Sequence, residues 1–352
     1  MPDTYQALLD SLPEGAVQAN QEKILYSNRL ARHYIPQLTA DAALPDFLTL
    51  PFSTPSGEGT FTDGLSRYTF HRSEAGEETQ LFLFHPAPQA ALTELQLDGV
   101  VRGLRSLLGE FAVELGPLTA AGQESLSPSA RARFLKSYHR TFRLVSNLDF
   151  MCQAGGPSGL PFQPITMDLA GLCHQVCQAA SGLLGQADVR LIYDTKLTSL
   201  LIPGDPVLLQ RMLLTLIANA ARAAKGGQVI LRLRSQRRRA VIALSDSAKS
   251  INPRQLAAML HQDTNHALPR PEQGAGLGLP IARHIVDLHK GALLVEWGQS
   301  SPTVLIALPS APLDTGLPVH TAAPDFSGGL SPVLVELSDI LPAEAFALEG
   351  LD

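Results

Sequence analysis

Apolar positions along the 352-residue chain fall into three regimes, each with its own period. Up to about residue 86, short alternating runs at 16–18, 23–26, 59–61, 67–71 and 80–84 predict strands. A helix is expected over 5–12, ahead of the turn Pro13-Glu14-Gly15. The period then changes. Leu97, Val101, Leu104, Leu108, Phe111, Leu115 and Leu118 recur alternately four and three apart, which is a heptad seam. Residues 119–129, rich in Gly, Ser and Pro, interrupt it, and a second seam follows at Phe134, Tyr138, Thr141, Val145, Leu148 and Cys152. A two-helix hairpin leaves one side of each stripe wet. Pairing with a second copy into a four-helix bundle is the expected remedy, the alternative being a connector packed on its own flanking domains.

From about 165 to 310 helical and strand periods mix. Helices are expected at 168–184, 207–224, 253–260 and 277–290, and strands at 189–193, 199–202, 228–234, 240–245, 292–296 and 303–307. Hairpin-linked strands with grouped helices predict a two-layer α/β sandwich in place of a doubly wound sheet. After Pro309 the composition is that of a linker. The piece around 331–350 is apolar enough to dock, on a surface the sequence does not name. The whole reads as an α+β multidomain chain divided at 1–88, 92–154, 163–310 and 311–352.

Composition narrows the function classes. Hydrophobic residues at 45% and charged residues at 17% describe a folded protein, and a net charge of -6 gives no electrostatic case for a nucleic-acid partner. Three cysteines, an odd count without a framework, point to a reducing compartment. The N-terminal residues lack the basic and apolar regions of a signal peptide, and no stretch approaches the ~20 uninterrupted apolar residues of a membrane span. A cytoplasmic location is the expectation.

The chemistry concentrates in three places. Gly274-Ala275-Gly276-Leu277-Gly278-Leu279 opens a helix, an arrangement that exposes backbone N–H groups to phosphates. No hydrophobic strand precedes it, which disfavours the dinucleotide fingerprint. Asn219 lies within the apolar helix LLQRMLLTLIANAARAA, where its amide needs either a ligand or backbone partners. Asp246 ends a strand, placed to accept a hydrogen bond from an exocyclic amine or to serve as a turn residue. Elsewhere, Cys173, His174 and Cys177 share one helix but lack a fourth metal ligand, so the cysteines read as small hydrophobes. His289 reads as helix-end chemistry.

The order Asn219, Asp246, GAGLGL and HKGAL resembles the N, G1 and G2 boxes of the histidine kinase ATPase family, whose fold is shared with gyrase, Hsp90 and MutL. The resemblance covers residues 165–308. It implies that Asn219 holds Mg²⁺ bridging the phosphates of ATP and that Asp246 reads the adenine amine. It further implies that Arg222 approaches phosphate and that Gly274, Gly276, Leu277 and Gly278 shape a lid. The segment LLDSLPEGAVQANQEKILYSNRLARHYI resembles the opening of a PAS sensor domain. Together these imply a cytoplasmic, homodimeric two-component protein-histidine kinase whose partner is a response regulator or other signalling protein.

Departures from the family pattern carry equal weight. Ala248 and Ser250 stand where the G1 box has glycines, and Thr215 stands where an Asn or acidic residue is usual. In the first seam helix, Arg102-Gly103-Leu104-Arg105-Ser106-Leu107-Leu108 fits the acceptor frame with Arg102 in the histidine's place and Leu107 in the proline's. A guanidinium stays protonated and cannot attack phosphorus. His139, expected on the solvent side of the second seam, is the substitute acceptor or an ordinary surface histidine. Two readings stay open: a kinase using an unorthodox histidine, and a catalytically silent pseudokinase that acts as an ATP-gated dimeric regulator or scaffold.

Overall fold

The computed structural model describes residues 2–20, 22–45, 48, 56–63, 66–76, 79–86, 100, 103–104, 106–108, 110–111, 127–155, 160–224, 226–236, 238–246, 276–297, 302–310 and 330–346. The N-terminal part runs α1 (Pro2–Asp10), β1 (Gly15–Ala19), β2 (Ile24–Ser27), α2 (Arg29–Tyr34), β3 (Ser56–Asp63), β4 (Ser66–Gly76) and β5 (Thr79–Pro86). Its strands pair antiparallel in the order β2-β1-β5-β4-β3. Strand alternation puts Phe61, Phe70, Phe82 and Phe84 in the core, with Phe61 stacked on Tyr68 at 5.3 Å between ring centroids. Asn28 fastens the helices to this sheet. Its Oδ1 accepts from Ala16 N–H at 3.0 Å and caps α2 through Ala31 N–H at 2.8 Å, while its Nδ2 donates to the carbonyls of Leu9 and Glu14 at 2.9 Å each.

The remaining elements are α3 (Pro128–Gly155), β6 (Ile165–Asp168), α4 (Leu169–Gly185), β7 (Arg190–Thr195), β8 (Leu201–Gly204) and α5 (Pro206–Ala224). They are followed by β9 (Gln228–Gln236), β10 (Arg239–Asp246), α6 (Gly278–Leu288), β11 (Ala292–Trp297), β12 (Pro302–Pro309), α7 (Pro332–Leu337) and a 3₁₀ turn at Ala343–Phe346. Strands β11-β12-β10-β9-β7 form a sheet that is antiparallel except for the parallel β9–β7 pair. Helices α4, α5 and α6 cover one face, so this part is the expected two-layer sandwich, and Leu213, Ile217, Leu231, Leu233, Ile242, Ile281, Ile285 and Ile306 form its core. β6 and β8 make a separate two-stranded sheet.

One contact joins the two parts. β3 pairs antiparallel with β11, Phe61 opposite Ala292 and Gly57 opposite Glu296, so all ten main strands share one sheet. β11 is therefore buried on both faces, Leu293 and Val295 under the helices and Ala292 and Leu294 in the N-terminal aromatic core. That is why its sequence is a continuous apolar run. Gly59 permits the approach: a Cβ there would run into the Leu293 carbonyl oxygen and come within 2.9 Å of the Phe70 ring. Arg72 and Glu296, each 1% exposed, lie 3.8 Å apart beside it.

Several expectations shift. Helix α5 is, by length and composition, apolar enough to cross a bilayer, but Gln210, Arg211, Asn219 and Arg222 interrupt its apolar run and 61% of its apolar window is buried inside the protein. The first seam helix is represented by helical residues at 100, 103–104, 106–108 and 110–111, and the helix expected at 253–260 lies outside the described residues. The second seam is split. Tyr138, Val145 and Cys152 are exposed, the first two at 44% and 50%, while the opposite face of α3 is buried within the same chain through Ala132, Ser137, His139, Arg143, Asn147, Phe150 and Met151. The docking of residues 331–346 on α3, α4 and α5 supplies the surface that the sequence could not name.

Gly59→Val is expected to cost roughly 1–3 kcal/mol in urea unfolding, the range for forced overpacking. A variant as stable as the parent would mean that β3 does not lie against β11.

Candidate functional site

The site is built on α5. Asp205 caps this helix: its Oδ1 accepts from Val207 and Leu208 N–H at 3.1 and 3.2 Å, and Pro206 fills the first helical position. Leu209, Leu213, Leu216, Ile217 and Ala220 are buried, which fixes the rotation of the helix and sets Thr215 and Asn219, one turn apart, towards the start of α6. The two elements nearly touch. A Cβ on Gly278 would lie 3.1 Å from both Asn219 Nδ2 and Thr215 Cγ2, a space that glycine leaves open. Gly276 adopts φ +69°, the left-handed region, so Gly276 serves the turn and Gly278 the close approach.

Two features suit this corner to an anion and its counter-ion. Helix α6 begins at Leu277 without a side-chain cap, so its first-turn N–H groups have no such acceptor. Thr215 is fully buried, and its Oγ1 has no hydrogen-bond partner among the described residues. Magnesium with a phosphate chain fits the amide oxygen of Asn219 and the backbone N–H groups of α6, whereas Thr215 turns its methyl group towards Gly278. Asp246 is half-buried at the end of β10, opposite Val229. Gly274, Ala248, Ser250 and Arg102 lie outside the described residues.

Two expected placements are corrected. His139 does not face solvent. It is 3% exposed, its ring lies 5.0 Å from that of Phe346, and its Nδ1 donates to the Leu135 carbonyl at 2.8 Å. Residues 331–346, whose resting place the sequence left open, fold over it. Arg222 was expected at phosphate, yet its Nη2 donates to Asp339 Oδ2 at 3.0 Å. Cys173 and Cys177 are buried in the sandwich core and burial pushes both thiols up, that of Cys177 to about 12, as befits small hydrophobes.

His289 does more than end a helix. Its Nε2 accepts from Asp205 N–H at 2.9 Å, so its Nδ1 carries the proton and donates to the Ile285 carbonyl at 2.7 Å. One neutral imidazole thus ties the end of α6 to the cap of α5 and sets where α6 sits. Burial holds its pKa below the ordinary value, against the opposing influence of the Ile285 carbonyl and Asp205. The sequence signal was the HKG turn, but its partner is 84 residues away in the chain.

Residues 204–312 match the family of histidine kinase-, DNA gyrase B- and HSP90-like ATPases. The chain is 26% identical over 181 residues to the probable sensor kinase SilS of Salmonella typhimurium, covering 50% of this chain and 36% of that protein. It is 32% identical over 140 residues to the signal transduction histidine-protein kinase/phosphatase MprB of Mycobacterium ulcerans, covering 38% and 27%. The chain therefore spans well under half the length of these curated relatives. The solved Acinetobacter baumannii histidine kinase AdeS superposes with a TM-score of 0.48 at 18% identity, over 59% of this chain and 96% of that one. Residues 204–312 are an ATPase domain of the histidine kinase family.

Below an ordinary imidazole pKa near 6.5, the unfolded chain binds a proton that folded His289 resists, so folding stability falls with pH from about 6.5 towards the depressed value. His289→Gln is expected to flatten that slope in urea titrations between about pH 7 and 5. An unchanged slope would assign the titration to another group.

Proposed function

We propose that this chain is a sensor histidine kinase-type, cytoplasmic two-component protein that binds Mg-ATP at the α5–α6 corner. The observation that carries this reading is the convergence of Thr215, Asn219 and Gly278, with an uncapped α6 N-terminus, inside the ATPase-family segment. Asn219 would hold Mg²⁺, the first turn of α6 with Gly276 and Gly278 would cradle the phosphates, and Asp246 would accept from the adenine amine. Bound Mg-ATP supplies a transferable phosphoryl group and a charge that differs between nucleotide states. The five-stranded N-terminal sheet and its aromatic core support a PAS-like sensor over residues 1–88. A response regulator is the partner class of this reading, and the three free cysteines support the cytoplasm.

The second reading is a silent, ATP-gated dimeric regulator, and a specific observation favours it. Arg102 occupies the acceptor frame, and the substitute His139 is buried beneath Phe346. Transfer needs an attacking nitrogen in line with phosphorus, which a protonated guanidinium is not and which the buried imidazole of His139 does not present. The exposed Tyr138 and Val145 on α3, together with Leu108 at 64% exposure, support the homodimer.

Titration calorimetry tests the site. Asn219→Ala is expected to abolish the heat of Mg-ATP binding while thermal unfolding stays close to that of the parent, and undiminished binding would remove Asn219 from the site. Phosphate incorporation from labelled ATP then separates the two readings. Leu108→Glu is expected to give the monomer mass by light scattering, and a variant that stays dimeric would rule out that seam.

A further inference from the structure

Helix α3 and the ATPase-domain helix α5 are bridged by residues 331–346. Helix α7 packs on α3, α4 and α5, and the 3₁₀ turn that follows packs on α3. Val333, Leu334, Leu337, Leu341 and Phe346 are buried in the same core as the sandwich. Charge reinforces that packing. Arg143 donates through Nε to Glu336 at 3.0 Å and through Nη1 to Asp339 Oδ2. Arg140 Nε reaches Asp339 Oδ1 at 3.0 Å, and Arg222 Nη2 reaches Asp339 Oδ2 at 3.0 Å. One carboxylate thus collects guanidinium groups from two helices of different parts of the chain.

The direct link from α3 to α5 sits elsewhere along these helices. Arg211, more than two turns before Arg222, donates to the Ser146 carbonyl and to Asn147 Oδ1 at 3.0 Å each, and its guanidinium lies 4.6 Å from the Phe150 ring centroid. Around residues 135–143 the bridge runs through Glu336, Asp339 and Phe346.

We propose that residues 331–346 are an intramolecular latch: docked, they fix the ATPase domain against α3 and shield His139, and released, they let the two parts hinge about the Arg211 contact and uncover that imidazole. The latch is a polar lock on an apolar segment. A charge buried opposite several guanidiniums is costly to leave unpaired, so docking is all-or-none at Asp339. The latch does not depend on nucleotide binding, and a protein that fails to bind Mg-ATP would leave it standing.

The test uses the full chain and two readouts. Asp339→Lys is expected to lower amide hydrogen-exchange protection over 332–346 by about a hundredfold or more, as breaking a buried ion pair implies, while strands β9 and β10 keep theirs. Diethyl pyrocarbonate, an acylating reagent for exposed imidazoles, is expected to modify His139 slowly in the parent and rapidly in Asp339→Lys. Adding Arg222→Glu to that variant restores one opposite charge beside position 339 without disturbing the Arg143–Glu336 pair, and is expected to restore part of both protections. Unchanged exchange and unchanged His139 reactivity in Asp339→Lys would overturn the latch. So would loss of protection throughout the sheet, which would make Asp339 a component of global stability in place of a local lock. The conservative Asp339→Asn keeps shape while removing charge, and a parent-like result in both readouts would likewise overturn the electrostatic lock.

Discussion

The pairing of β3 with β11 is the constraint on which the rest of the architecture depends. An edge strand carries a row of unsatisfied N–H and C=O groups, and a long apolar one invites foreign strands. Here the ATPase sheet ends in β11, whose sequence is apolar on both faces, and β3 covers that edge from within the chain. The price is local and visible in Gly57 and Gly59, where side chains would collide with Leu294, Leu293 and Phe70. In return the N-terminal aromatic core extends over the outer face of the ATPase sheet, through Val241, Leu305 and Ala307, opposite the face that the helices cover. Helix α6 runs into β11 through the turn at His289, Lys290 and Gly291, with Lys290 at φ +53°. Gly278 at the start of α6 and the strand that touches the N-terminal part therefore belong to one helix–turn–strand unit.

Much of this was legible in the sequence because the signals are local. The helices at 168–184 and 207–224, the strands at 228–234 and 240–245 and the glycines at the start of α6 all follow from period and residue type. What was illegible is what local pattern does not encode. Which strand covers β11, and that β7 joins β9 in parallel, depend on partners far away in the chain. His139 was misplaced for a related reason. The seam at 134, 138, 141, 145, 148 and 152 predicts the side of α3 that meets a second helix, whereas this chain buries the face that carries His139, Arg143 and Asn147, the alternative in which the helix packs on its own flanking domains.

The candidate site divides along the same line. Asn219, Thr215 and Gly278 were found by motif or by departure from it, and the structure brings them into contact. Arg222 was also found, but its partner Asp339 sits in a stretch whose short helix and sparse charge carry no recognisable signature. Similarly, the role of His289 required the N–H of Asp205, which no spacing rule reveals. Residues that bind across the fold were identifiable by type, and their counterparts only by geometry.

The distance in sequence between α3 and the segment that closes over it has a consequence for biosynthesis. The contact of Arg143 with Asp339 spans 196 residues. At a translation rate of roughly 5–20 residues per second, α3 leaves the ribosome about ten to forty seconds before that carboxylate exists. During that interval Arg140 already has Glu110, made before it, whereas Arg143 waits for both of its acceptors, Glu336 and Asp339. The later segment then neutralises a charge that the earlier helix carries from the start.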